Sequence, residues 1–131
     1  MINNYDVQYS MKNIKSNMVK EKAYQFALLI IQLYKELCDK KEFVLSKQLL
    51  RSGTSIGANV EEATAAQSKK EFISKMSVAS KEARETHYWL RLLKDSDIHS
   101  GIRLTEAIDE AETLIKILTS IVKTSQANIK S

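Results

Sequence analysis

The chain reads as an all-α protein, an antiparallel up-down-up-down four-helix bundle. Three observations point there. Proline is absent and glycine totals three, so the turns that sheets need have little raw material. Apolar residues recur at spacings of three and four along four long stretches. Short polar links join those stretches, which forces neighbours to run antiparallel.

Residues 1–16 show no stable period and are expected to be a flexible lead. Helix 1 is expected over about Asn17 to Asp39, with Ala23, Phe26, Ile30, Leu33 and Leu37 on one stripe. Lys40-Lys41-Glu42 is a short connection. Helix 2 spans about Phe43 to Ala66, with Leu45, Leu49, Ser52, Ile56, Val60 and Ala63 facing inward. Ser68-Lys-Lys-Glu71 matches a capping box and opens helix 3. Helix 3 runs from Lys69 to about Asp95 on Phe72, Met76, Ala79, Ala83, Leu90 and Leu93; Lys81, Arg84, Tyr88 and Arg91 form a wetter stripe. Residues 95–101 make a loop. Helix 4 runs from about Arg103 to Gln126 on Leu104, Ile108, Ala111, Ile115, Leu118 and Val122, and residues 127–131 are a tail. The bundle thus occupies 17–126 as one domain.

The segment from Arg51 to Ala63 is unusual because two glycines, Gly53 and Gly57, stand inside a helix. Each costs about 1 kcal/mol relative to alanine there. Close approach of another helix to the face of Gly53, Gly57, Ser52, Thr54 and Ala58 would offset that loss, within one chain or between copies. Phe26 to Ile31 is apolar at every position, and Val78, Trp89 and Leu92 lie beside the main stripe of helix 3. Two readings stand: a wide core, or a second buried face shared in a homo-oligomer. The small-residue face weights the second.

The 131 residues carry a net charge of +4. Its distribution is uneven. The end formed by the N-terminus, the helix 2–3 turn and the C-terminus holds Lys12, Lys15, Lys20, Lys22, Lys69, Lys70, Lys75, Lys123 and Lys130 against Asp6, Glu21, Glu61, Glu62 and Glu71. The opposite end and the middle are balanced. A ring of copies would multiply the field of the basic end. Lysines contact phosphates without reading sequence, so Lys20, Lys22, Lys69, Lys70 and Lys75 are the candidate contacts to RNA or DNA. Base stacking has thin support, since among the aromatic residues only Tyr88 falls clearly on a wet stripe.

Catalytic chemistry is not expected. There are two histidines. His99 lies in a loop without ligand spacing, and His87 follows Arg84 too closely for an Arg–His pair to share one phosphate. No Glu-x-x-His, HExxH, nucleophile elbow or phosphate-cradling loop occurs. The pairs Glu61–Glu62 and Glu82–Glu85 should lie roughly 15 Å apart along the helices, with Glu61 and Glu62 facing Phe72 and Ile73. That is too far for a shared metal pair at ~4 Å. Neither metal nor cofactor is expected. Arg51 should instead meet Glu82 or Glu85 and set helix register. The single cysteine, Cys38, leaves no internal disulfide or cysteine cage. No signal peptide or membrane-length apolar run shows, so the cytoplasm is the expected compartment.

Leu50-Arg51-Ser-Gly-Thr-Ser55-Ile-Gly-Ala-Asn59-Val-Glu-Glu62-Ala, then Ser68-Lys-Lys-Glu-Phe72-Ile and Glu85-Thr-His-Tyr-Trp-Leu, resembles a small bacterial four-helix-bundle family. Its genes were first noted in intervening sequences of 23S rRNA, and its members are often labelled ribosomal proteins. The resemblance covers about residues 18–125. Many relatives carry proline where Gly57 stands and Glu-Gly where Glu62-Ala63 stands. It implies a four-helix bundle, ring-like homo-oligomers with pentamers among them, and nucleic-acid association, since related retroelement accessory proteins partner a reverse transcriptase and RNA. Arg51, Ser55, Asn59, Glu62 and Glu85 match the family's polar motif positions. A non-enzymatic nucleic-acid-associated oligomer is the expectation, with a protein-interaction scaffold as the alternative.

Overall fold

The computed structural model describes residues 4–130, with side chains described over 15–129. Four helices follow in order: α1 (Asn4–Asp39), α2 (Leu45–Thr64), α3 (Lys69–Asp95) and α4 (Ile102–Lys130). Each packs on its neighbours around a ring, α1 on α2, α2 on α3, α3 on α4 and α4 on α1. This is the antiparallel up-and-down bundle that short links dictate.

The core is the union of the four apolar stripes. Phe26, Ile30, Leu33 and Leu37 of α1, Leu49, Ile56 and Val60 of α2, Met76, Leu90 and Leu93 of α3, and Leu104, Leu114 and Leu118 of α4 are buried. The α4 seam runs through Leu104, Ala107, Ala111, Leu114, Leu118 and Ile121. Ile108, Ile115 and Val122, expected on it, flank the core and are half-buried. Both sets are apolar and step by three and four, so spacing alone does not choose between them.

Two expected boundaries move outward. α1 begins at Asn4, ahead of Asn17, and α4 continues to Lys130, past Gln126. Backbone over 4–16 and 127–130 is therefore helical, where a lead and a tail were expected. Neither segment contains Gly or Pro to interrupt the helix. Residues 1–3 and 131 lie outside the described residues.

The glycine face of α2 serves α1. A Cβ on Gly53 would stand 2.8 Å from Cγ1 and Cγ2 of Ile30, and one on Gly57 would stand 3.4 Å from the carbonyl oxygen of Ala23. The close approach at both glycines is within the chain, so the glycines do not argue for contacts between copies, although Ala58 beside them is exposed. Of the all-apolar run, Phe26 and Ile30 are buried and only Leu28 is exposed.

Helix ends follow local chemistry. The Ser68 hydroxyl accepts from the Glu71 N–H at 3.1 Å, and the Glu71 carboxylate accepts from the Gln67 N–H at 3.1 Å. α1 ends in a Schellman arrangement. The Glu42 N–H donates to Leu37 O and the Lys41 N–H to Cys38 O, both at 2.9 Å, with Lys41 left-handed at φ 64°. The Glu42 carboxylate then accepts from the N–H groups of Leu45 and Ser46 and secures the start of α2.

Candidate nucleic-acid interface

The lysine-rich end takes shape around the turn between α2 and α3. Three contacts fix which segments meet there. Lys15 Nζ donates to Ser120 Oγ at 2.6 Å, Lys20 Nζ sits 3.3 Å from Glu61 Oε2, and Lys75 Nζ sits 2.8 Å from Glu62 Oε2. The start of the α1 bundle segment, the α2–α3 turn and the last part of α4 thus share one end. The side chains of Asp6, Lys12 and Lys130 lie outside those described.

The five candidate lysines divide. Lys69 and Lys70 are exposed in the first turn of α3 and form no ion pair among the described residues. Lys22 is half-buried and likewise unpaired there. Lys20 and Lys75 are each held by a glutamate. The hydrogen bond from Lys75 to Glu62 raises the lysine's pKa above its ordinary value. Glu61 was expected opposite α3, but it faces Lys20 of α1, because one residue of helix turns it about 100° away from Glu62.

The polar motif line lies along the α2–α3 seam. Arg51 forks to Glu85 and, at 3.3 Å, to Glu82, the register contact expected from the sequence. The Glu85 bond raises the Arg51 pKa. Burial pushes Glu82 above the usual carboxylate range despite the Arg51 charge. Ser55 Oγ donates to Arg51 O at 2.6 Å and Asn59 Nδ2 to Ser55 O at 2.8 Å. Beneath this line Thr86 Oγ1 donates to Ser52 Oγ at 2.9 Å, a buried cross-helix bond. The five motif residues hold α2 to itself and to α3; they do not converge on a cavity.

Each histidine pairs with a glutamate. His87 Nε2 lies 3.2 Å from Glu112 Oε1 across α3 and α4. His99 is buried, with Nε2 2.9 Å from Glu36 and Nδ1 2.9 Å from Lys40 Nζ. A lysine ammonium can only donate, so Nδ1 accepts and Nε2–H donates to Glu36. Arg103 also pairs with Glu36. Burial opposes the charge on Glu36, but the bonds from Arg103 and His99 outweigh it and hold the carboxyl below the usual range. This clasp ties the end of α1 to the α3–α4 loop and the start of α4. No local signal announces it, since Glu36 and His99 are far apart in sequence. Among the described residues no group of three His, Cys, Asp or Glu side chains could hold a metal ion, and no helix is long and apolar enough to cross a membrane.

Among the described side chains the exposed aromatic residues are Tyr24, Phe43 and Tyr88. Tyr88 meets Trp89 edge-on at 5.2 Å, with the Arg91 guanidinium 6.0 Å from its ring centre.

Residues 15–120 match the model of the family described as 23S rRNA-intervening sequence protein. No curated protein matches the chain. The crystal structure of a protein of unknown function from the S23 ribosomal protein family of Bacteroides thetaiotaomicron is 48% identical, with a TM-score of 0.79. The match covers 83% of this chain and 98% of that one. With its sequence matched over most of its length and its bundle shared with that relative, the chain belongs to the 23S rRNA-intervening sequence protein family.

Proposed function

We propose that this is a non-enzymatic, homo-oligomeric bundle that associates with RNA or DNA through its lysine-rich end. One observation carries the reading. Lys69 and Lys70 occupy the first turn of α3, exposed and unpaired, where the helix dipole disfavours cations by about 0.3–1 kcal/mol each. Two lysines held where they weaken the fold are best explained by a ligand that needs them. A polyanion is the chemistry that fits, and lysines contact phosphates without reading bases.

The test is Lys69→Glu with Lys70→Glu. Affinity for a short RNA duplex should fall, and the slope of log affinity on log salt should become shallower by up to about 1.8, or about 0.9 for each phosphate that is no longer neutralised. The same change suits the α3 dipole, so thermal stability should hold or rise, which separates weakened binding from weakened folding. Unchanged affinity and slope would overturn the proposal. Self-association is supported by Tyr24 and Leu28 of α1 and Val78 and Tyr88 of α3, all exposed on the outer faces of their helices. Light scattering with and without the duplex reads copy number and complex formation together, and a monomer in both would remove the oligomer.

A second reading, a protein-interaction scaffold, draws on the opposite end. There Phe43, Val44, Ile98 and Ile102 are exposed in the two loops and at the start of α4. A pull-down insensitive to nuclease and salt, and abolished by Phe43→Ser with Ile102→Ser, would favour it.

A further inference from the structure

The acidic residues of the lysine-rich end are placed as oddly as its lysines. Glu61 and Glu62 stand in the last turn of α2, which holds no basic residue. The carbonyl end of a helix repels carboxylates. Both charges flanking the turn, Glu61–Glu62 before it and Lys69–Lys70 after it, therefore oppose the local helix field. Each glutamate also occupies a lysine, Glu61 holding Lys20 at 3.3 Å and Glu62 holding Lys75 at 2.8 Å. The two held lysines come from different helices, α1 and α3, on the two sides of α2.

We propose that Glu61 and Glu62 are an internal competitor for phosphate, an autoinhibitory pair that keeps Lys20 and Lys75 from a nucleic acid until its phosphates displace the carboxylates. This rests on the reading that this end binds nucleic acid. All four side chains are substantially exposed, so water and salt already weaken the pairs and a dense row of phosphates can break them. A lone phosphate meets one carboxylate at a time, whereas a polymer presents many groups at once. The pair therefore sets a threshold that favours long, densely charged ligands over small anions. Lys69 and Lys70, unpaired, make the first contact, and Lys20 and Lys75 add theirs after exchange.

The experiment compares wild type with Glu61→Gln, Glu62→Gln and the double variant, by fluorescence anisotropy of a labelled short RNA duplex across a salt series. Glu21→Gln is the control. Glu21 is exposed at the same end but accepts from Gln25 and holds no lysine among the described residues, so its substitution removes the same charge without freeing a cation. Breaking one exposed pair is worth a factor of about 1.5 to 5. The double variant should therefore bind about 2- to 30-fold more tightly, beyond any gain from Glu21→Gln. Thermal stability should stay near that of wild type, because removing a carboxylate from the carbonyl end of α2 offsets the loss of each exposed pair. Gains no larger than that of Glu21→Gln overturn the competitor. If Lys69→Glu with Lys70→Glu still weakens binding in that case, the nucleic-acid reading survives alone. No binding by wild type or by any of these variants overturns both.

Discussion

Gly53 and Gly57 sit one turn apart on the same helix face, yet alanine at the two positions should act with opposite sign. A glycine costs about 1 kcal/mol against alanine inside a helix, so either substitution starts with that gain. At Gly57 the new methyl would meet Ala23 O at 3.4 Å, Ala23 C at 3.6 Å and Ala23 Cβ at 3.8 Å. These are ordinary contact distances, and most of the gain should survive, about 0.5–1 kcal/mol. At Gly53 the methyl would stand 2.8 Å from two Ile30 carbons and 3.2 Å from a third. Ile30 is fully buried, and a β-branched side chain in a helix has essentially one rotamer, so it cannot turn away. Overpacking of this kind costs about 1–3 kcal/mol, leaving Gly53→Ala neutral to about 2 kcal/mol destabilised. The assay is urea unfolding followed by circular dichroism at fixed protein concentration, since assembly shifts apparent stability. Ile30→Ala removes both clashing carbons, so a double-mutant cycle should return a favourable coupling of about 1 kcal/mol or more between the two changes. Equal effects at the two glycines, or a stabilising Gly53→Ala, would refute the packing argument.

Three further outcomes are expected. Ser68→Ala should cost about 1 kcal/mol in the same unfolding assay, because it removes the acceptor of the Glu71 N–H at the start of α3. Lys41→Gly should stabilise by about 1 kcal/mol, since Lys41 is left-handed at φ 64°, where a Cβ is penalised and glycine is not. Glu36 has a depressed pKa in the folded state. Its contribution is present above the unfolded carboxyl value of about 4.3 and is lost as pH falls through the lower folded value. Glu36→Gln should thus lower stability at neutral pH and flatten the acid limb of the stability curve below pH about 4, read by unfolding at a series of pH values. Glu82, raised by burial, tilts the other way, and Glu82→Gln should steepen that limb.

Short-range chemistry is legible in the chain and long-range chemistry is not. The start of α3 at Lys69 can be read directly, because Ser68 and Glu71 announce it within four residues. The register of α2 on α3 is readable closely enough to pair Arg51 with Glu82 and Glu85, since a short turn leaves an antiparallel hairpin little freedom. The N-terminal reach of α1 to Asn4 escapes, because no apolar period marks residues before Asn17. The α4 seam is misleading because the set Leu104, Ile108, Ala111, Ile115, Leu118 and Val122 and the set Leu104, Ala107, Ala111, Leu114, Leu118 and Ile121 are both apolar and both step by three and four, and only packing on the neighbouring helices selects the set with Ala107, Leu114 and Ile121. His99 has the sequence setting of a loop histidine; its burial depends on Glu36 and Lys40, which only the closed bundle brings near. The glycines signal a tight approach, but nothing local says that the partner is α1 of the same chain.

The antiparallel pairing of α1 with α4 brings the first described helix and the last out beside the α2–α3 turn. A tag or fusion placed ahead of α1 or after α4 therefore emerges at the same end as the surface assigned to phosphate. A polyhistidine tag would lend it foreign cations, and an acidic fusion partner would mask it. Binding measured on tagged protein would report the tag as much as the turn, so cleaved protein, or a label placed among the loops at the far end, is the material on which these lysines can be judged.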